Sequence, residues 1–332
     1  MSARFRAEIL EQPAVAERLL REGAASADHV AQRLREFGPA GVIVVARGSS
    51  DHAAVYAQYL LGARNRLPVG LAAPSLFTLY GASPDLSRHC VLAISQSGAS
   101  PDVVGVVRAA RAQGALTVAL TNDPGSALAS TAELVIELRA GDERSVPASK
   151  SYTASLLAIA LLSQALDPEP GFSQGLHSLP GALEDARRRE GEVAELAARL
   201  GDSHLALVLG RGYNLCTAQE VALKLTETGG LLARAWSSAD FMHGPVTLAS
   251  AGLPVVSVEA PGAVARSLEE VVAALAARGC RVLRLAGGFG LPEALTPLPL
   301  TVLGQLLALL LAERRGLDPD LPQALQKITR TL

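Results

Sequence analysis

Three cysteines in 332 residues, Cys90, Cys216 and Cys280, are too few and too widely spaced for a disulfide framework or a Cys-x-x-Cys zinc site, which points to a reducing, cytoplasmic setting. Aromatic residues make up only 4%, so there are few platforms on which exposed bases could stack. Charge of neither sign dominates: Lys plus Arg number 30 and Asp plus Glu 32, leaving no basic field for a nucleic-acid backbone, and no nucleic-acid partner is expected. There is no G-x-x-x-x-G-K-[ST], and no G-x-G-x-x-G follows the first apolar run, so nucleoside triphosphates and dinucleotides have no cradle. The six histidines form no H-E-x-x-H or other helical ligand pair, and neither a metal nor a cofactor is expected. The opening MSARFRAEILEQPAVAERLLREG lacks the unbroken apolar core of a signal peptide and reads as a surface helix. The most apolar stretch, 298–312, is shorter than the ~20 residues of a membrane span and reads as a buried core helix, so no membrane partner is expected.

What the chain has is apolar mass: 49% hydrophobic residues, enough for two domains with cores of their own. Runs rich in Val, Ile and Leu recur between helical segments: GVIVVA at 41–46, HCVLAIS at 89–95, ALTVALT at 115–121, then SHLALVLG at 203–210, LPVVSVE at 253–259 and CRVLRLA at 280–286. Continuous apolar strands alternating with helices predict an α/β fold with parallel sheets covered on both faces. The two sets are related by a nearly constant shift. Arg47-Gly48 matches Arg211-Gly212, and Ser95 matches Glu259, both at an offset of 164, while Gly114 matches Gly279 at 165. The spacing predicts a tandem duplication of one doubly wound domain.

The copies differ where open α/β sheets bind ligands, at the C-terminal strand ends. The first offers Arg47-Gly48-Ser49-Ser50 and Ser95-Gln96-Ser97-Gly98-Ala99-Ser100; the second offers Arg211-Gly212-Tyr213-Asn214 and Glu259-Ala260-Pro261-Gly262. Serine hydroxyls and free N–H groups at helix N-termini suit a phosphate monoester. Taken singly, such serines are ordinary caps and turn formers, but two serine-rich turns after successive strands, both depleted in the duplicate, favour a phosphate.

In the second copy, CTAQEVALKLTET at 216–228 places Glu220, Lys224 and Glu227 on one stripe of a helix. Alone, this stripe reads as a solvated salt-bridged face. The following ARAWSSADFMHGPVTLAS, 233–250, reads as a loop carrying Asp240 and His243, the latter able to exchange a proton near neutral pH.

These segments together resemble the sugar isomerase (SIS) domain family, and most closely the tandem-SIS isomerase half of glutamine:fructose-6-phosphate amidotransferase and the SIS-type glucosamine-6-phosphate deaminases. ARGSS at 46–50 resembles a C-G-T-S turn, SQSGAS at 95–100 an S-Q-S-G-E-T loop, and SVPASKSYTASL at 145–156 a G-V-A-S-T-K segment. EVALKLTET and ADFMHGPVTL resemble E-x-A-L-K-x-K-E and E-x-x-H-G-P, and DPDLPQALQKITRTL resembles the family ending. The resemblance implies two SIS domains, 37–170 and 171–315, between an N-terminal helical segment, 1–36, and a tail over the active site, 316–332. It implies phosphate binding by Ser50, Ser95, Gln96, Ser97 and Ser100, further substrate contacts at Gly48, Ser49 and Val146, and proton transfer between C1 and C2 by Glu227 supported by Lys224 and Glu220. It also implies ring opening by His243, donated across a homodimer, and a Schiff base with a ketose carbonyl at Lys327. Arg47 replaces the family's frequent Cys, Ala99-Ser100 replaces Glu-Thr, and Asp240 replaces Glu. With no upstream glutaminase domain or N-terminal catalytic cysteine, the expected reaction is deaminating isomerisation of glucosamine 6-phosphate to fructose 6-phosphate. The rivals are aldose–ketose isomerisation, fructosamine-phosphate deglycation, and a non-catalytic sugar-phosphate sensor.

Overall fold

In the computed structural model, which describes residues 4–322 and Lys327, the chain forms two compact units, each built on a parallel sheet. The first comprises 14–143, 150–177 and Lys327; the second comprises 4–13, 144–149 and 178–322. The division is not linear along the chain, because the first helix and the 144–149 loop belong to the unit of the second sheet.

The first sheet contains β1 (Val42–Val45), β2 (Val69–Leu71), β3 (Cys90–Ile94), β4 (Leu116–Thr121) and β5 (Leu134–Glu137), in the order β2-β1-β3-β4-β5. The second contains β6 (Leu205–Gly210), β7 (Leu232–Ser237), β8 (Pro254–Glu259) and β9 (Arg281–Ala286), in the order β7-β6-β8-β9. The order is the same apart from the fifth strand. β3 and β8 are offset by 164 (254 − 90) and β4 and β9 by 165 (281 − 116), as the sequence spacing predicts. The turn glycines agree in conformation: Gly48 and Gly212 have φ of 56° and 59°, and Gly114 and Gly279 both have 82°. Central strands β3 and β4 are buried at every position, which is why they read as unbroken apolar runs without alternation.

Each unit has a helix that is apolar on every side. Lys150–Leu166 is buried from Lys150 through Ser163, and Pro297–Arg314 is buried at 15 positions. The latter extends the expected core helix: with its leading turn, Glu293–Arg314 spans 22 residues and passes a bilayer length test, but 94% of its apolar window is buried in the protein. Gly304 sits where a Cβ would collide with Val221, so this helix approaches Leu215–Glu227 closely and fixes that helix against β6 and β7.

Two expectations need correction. The N-terminal segment is not simply a surface helix: it forms Arg4–Leu10 and Gln12–Phe37, with Phe5 and Ile9 fully buried. Glu8 is buried as well, because its carboxylate accepts backbone N–H groups from Arg144 and Ser145 and the Ser145 hydroxyl. The 233–250 segment is not a loop throughout: Leu232–Ser237 is an edge strand and Ser238–Met242 a short helix. An edge strand buries little, so LARAWS lacks the apolar signature of the central strands. In the expected tail, 316–322 and Lys327 are described; the rest, including the family-like ending, lies outside the described residues, as do positions 1–3.

Candidate functional site

The chain reverses direction across the first sheet between β1 and β3, which pair directly, with Val45 opposite Ala93. Ligands of doubly wound sheets bind at such a switch point, beyond the C-terminal strand ends. Both serine-rich turns lie there. Gly48 leads into the helix Ser49–Asn65, placing Ser49 and Ser50 at its first two positions, and 95–100 leads into the helix Pro101–Ala112. The second turn is pinned to the end of β4: Gln96 O accepts from Asn122 N at 3.1 Å, and Gly98 O from Leu128 N at 3.0 Å.

The serines divide into two sets. Ser95 Oγ accepts from Gly98 N at 3.2 Å and Ser97 Oγ from Ala99 N at 3.3 Å, so these two shape the turn. The side chains of Ser50, Gln96 and Ser100 have no hydrogen-bond partner among the described residues, and Ser100 occupies an N-cap position without capping. The turn-forming reading accounts for Ser95 and Ser97, and the donors of Ser50, Gln96 and Ser100 are left available. Gly98, at φ 59°, also packs where a Cβ would collide with the Ser126 side chain. Gly98→Ala is therefore expected to cost about 1–2 kcal/mol from the backbone conformation alone, read as a lowered denaturation midpoint; an unchanged midpoint would mean that the turn relaxes freely.

In the sister copy, Gly262 follows β8 with φ 149°, and a Cβ on it would collide with the Glu293 carboxylate. That carboxylate accepts from Ala263 N at 2.8 Å. A cavity of about 300 Å³ remains at these strand ends, lined by Glu259, Pro261, Leu268, Glu269 and Gly287. Two carboxylates and an internal acceptor already on the turn make this copy unsuited to an anion.

The helix Leu215–Glu227, which carries Glu220, Lys224 and Glu227, lies in the second unit. Lys224 and Glu220 each have 1% of their side-chain surface exposed, so the solvated-face reading of this stripe is excluded. Lys224 Nζ lies 2.6 Å from Glu227 Oε2 and 3.3 Å from Glu220 Oε1, and the Glu227 side chain is 20% exposed. Burial disfavours the ammonium, but Glu220 and Glu227 together outweigh it and raise the Lys224 pKa above the ordinary lysine range. The result is a fixed cation beside a carboxylate that reaches the surface. In the same unit, Asp240 and His243 are exposed, and the His243 side chain has no hydrogen-bond partner among the described residues. Nearby in sequence, Trp236 Nε1 and the buried Ser238 Oγ also lack one.

Val146 N donates to Asp320 O at 3.1 Å, which leaves the Val146 carbonyl as its available backbone group. Asp320 also accepts from Phe5 N at 2.7 Å. Lys327 Nζ lies 3.0 Å from Glu143 Oε2 in the first unit. Glu143 is fully buried and also accepts from Ser151 N and Oγ, at 3.0 and 2.6 Å. Sequence reasoning missed Glu143, which carries no motif and stands seven residues before the helix Lys150–Leu166. The chain has only three lysines, Lys150, Lys224 and Lys327; the first two are buried and the third is 26% exposed.

The cysteines are all free and buried, and burial pushes the Cys90 thiol up to about 12, unsuited to nucleophilic work. Among the described residues no group of three or more His, Cys, Asp or Glu could hold a metal ion.

Comparison with known proteins agrees with this architecture. A Silicibacter pomeroyi DSS-3 protein provisionally named a phosphosugar isomerase is 38% identical, with a TM-score of 0.89 over 96% of this chain and 99% of that one. The isomerizing glutamine–fructose-6-phosphate aminotransferase of Methanothermobacter thermautotrophicus is 33% identical over 337 residues, covering 96% of this chain and 56% of the relative. The chain thus spans little more than half the length of the curated relatives it matches. The glucosamine-6-phosphate deaminase of Thermotoga maritima shares the fold, with a TM-score of 0.79 at 22% identity over 99% of this chain and all of that one. The SIS domain model matches residues 40–165 and again 200–288, one match to each sheet, and the chain belongs to the SIS domain family.

Proposed function

We propose that the protein is a phosphosugar-isomerising enzyme that converts glucosamine 6-phosphate and water to fructose 6-phosphate and ammonia. The observation that carries this reading is the buried Lys224 ammonium between Glu220 and Glu227 on a helix of a tandem SIS protein. A binding-only sensor has no use for such a group, whose desolvation costs several kcal/mol.

The serine-lined turns and helix N-termini of the first unit bind the phosphate, which fixes the sugar and supplies binding energy remote from the reacting carbons. His243, supplied by the partner subunit of a homodimer, assists ring opening. The Glu227 carboxylate then removes the proton from C2, the C–H electron pair becomes the C1=C2 bond of an enolamine, and the proton returns at C1. Lys224 holds Glu227 in place and offsets the negative charge that develops. With the amine on C2, the product of the proton shift is the C2 imine; water adds to C2, the C–N bond breaks, and ammonia leaves the ketone of fructose 6-phosphate.

Incubation with glucosamine 6-phosphate is expected to yield ammonia and fructose 6-phosphate in equal amounts in a coupled assay. Isomerisation of glucose 6-phosphate without ammonia release would replace deamination by aldose–ketose isomerisation, and no turnover of either would favour the sensor.

A further inference from the structure

We propose that Arg47 is a substrate contact that binds the phosphate through its guanidinium, and that Asp102 is the residue that positions it. This rests on the phosphate reading of the first unit. Arg47 ends the first strand beside Gly48, and its Nε donates to Asp102 Oδ2 at 2.7 Å. Asp102 lies in the first turn of Pro101–Ala112, two residues beyond Ser100, so the side chain bridges the two serine-bearing turns at the sheet's switch point.

The mode of attachment matters. Asp102 is 1% exposed, and its other oxygen accepts from Val103 N at 2.9 Å. A carboxylate this buried needs a cation held close, yet it engages only Nε. Nη1 and Nη2 have no hydrogen-bond partner among the described residues, and 48% of the Arg47 side-chain surface is exposed. A guanidinium fixed along one edge and open along the other presents two donors in the fork geometry that suits a phosphate's oxygens.

The duplication supplies an internal control. Arg211 stands in the sister copy at Arg47's place (47 + 164), but the place of Asp102 is taken by Arg266 (102 + 164), 92% exposed and paired with Glu270. Arg211 makes no ion pair among the described residues. The arginine is therefore held by a buried carboxylate only in the copy whose turns carry the serines. This arrangement favours a dianionic phosphate monoester over the same sugar without its phosphate.

The test is titration calorimetry at low salt with fructose 6-phosphate and with inorganic phosphate. Arg47→Ala is expected to weaken both by about tenfold or more, as loss of a charge-assisted bidentate contact should, with Arg47→Lys intermediate and Arg211→Ala unchanged. If Arg47→Ala fails to fold because Asp102 is left uncompensated, the double variant Arg47→Ala/Asp102→Asn removes both charges and should show the same loss. Wild-type affinity in whichever of these variants folds would overturn the role of Arg47 while leaving the phosphate reading intact. A wild-type protein that binds neither probe would overturn both.

Discussion

Glu227→Gln should lower kcat by about 10³-fold or more while changing fructose 6-phosphate affinity by no more than about threefold, the signature of a group used in proton transfer. The substitution is nearly isosteric, and an amide oxygen can still accept from Lys224 Nζ, so the helix has no reason to rearrange. Fluorescence-monitored binding alongside steady-state turnover checks both halves of the expectation. A variant that retains more than a tenth of wild-type turnover would move the base elsewhere, and the exposed Asp240 would then be the next carboxylate to test.

The second large effect concerns stability. Lys224→Met removes the cation from between Glu220, 1% exposed, and Glu227, 20% exposed. Leaving a buried carboxylate without its counter-charge costs about 3–5 kcal/mol, to be read from denaturant midpoints. Adding Glu220→Gln should recover part of the loss, because the two residues share one interaction. The pH dependence follows from the raised Lys224 pKa. Its contribution to stability is fully present below the pKa of an unfolded lysine, about 10.4, and is lost as pH rises through the higher folded value. Wild type should therefore lose stability relative to Lys224→Met only in strongly alkaline solution, and the difference between them should stay flat across neutral pH.

The parts of the fold that could be read in the sequence were those written as apolar runs, which burial demands of the central strands and which the edge strand β9 also keeps. β1, β3, β4, β6, β8 and β9 are predominantly apolar runs, and the 164–165 spacing survives because each strand–turn–helix step must fit the same layer thickness. β2, β5 and β7 escaped notice because an edge strand needs neither length nor continuous hydrophobicity and these three lack a long run rich in Val, Ile and Leu, whereas β9, also at an edge, has one. The stripe of Glu220, Lys224 and Glu227 followed from helical geometry, but its burial did not: a Glu-Lys-Glu spacing has the same form on a wet surface as in a core. Asp102, Glu143 and Glu293 carry no motif. The importance of each comes from what is brought to it, a guanidinium, a lysine from far along the chain, or a turn's own N–H.

Glu293 sets the ligand-side turn of the second half apart from that of the first. A backbone bend that aims an N–H outward needs an acceptor for it whether or not a solute is present. By lending its own carboxylate to Ala263, the second half fills the vacancy from within, at fixed concentration and without competition. That turn can then hold its shape with no solute bound, whereas in the first half the resident acid, Asp102, turns to Val103 N and Arg47 and leaves the Ser100 hydroxyl without a partner among the described residues.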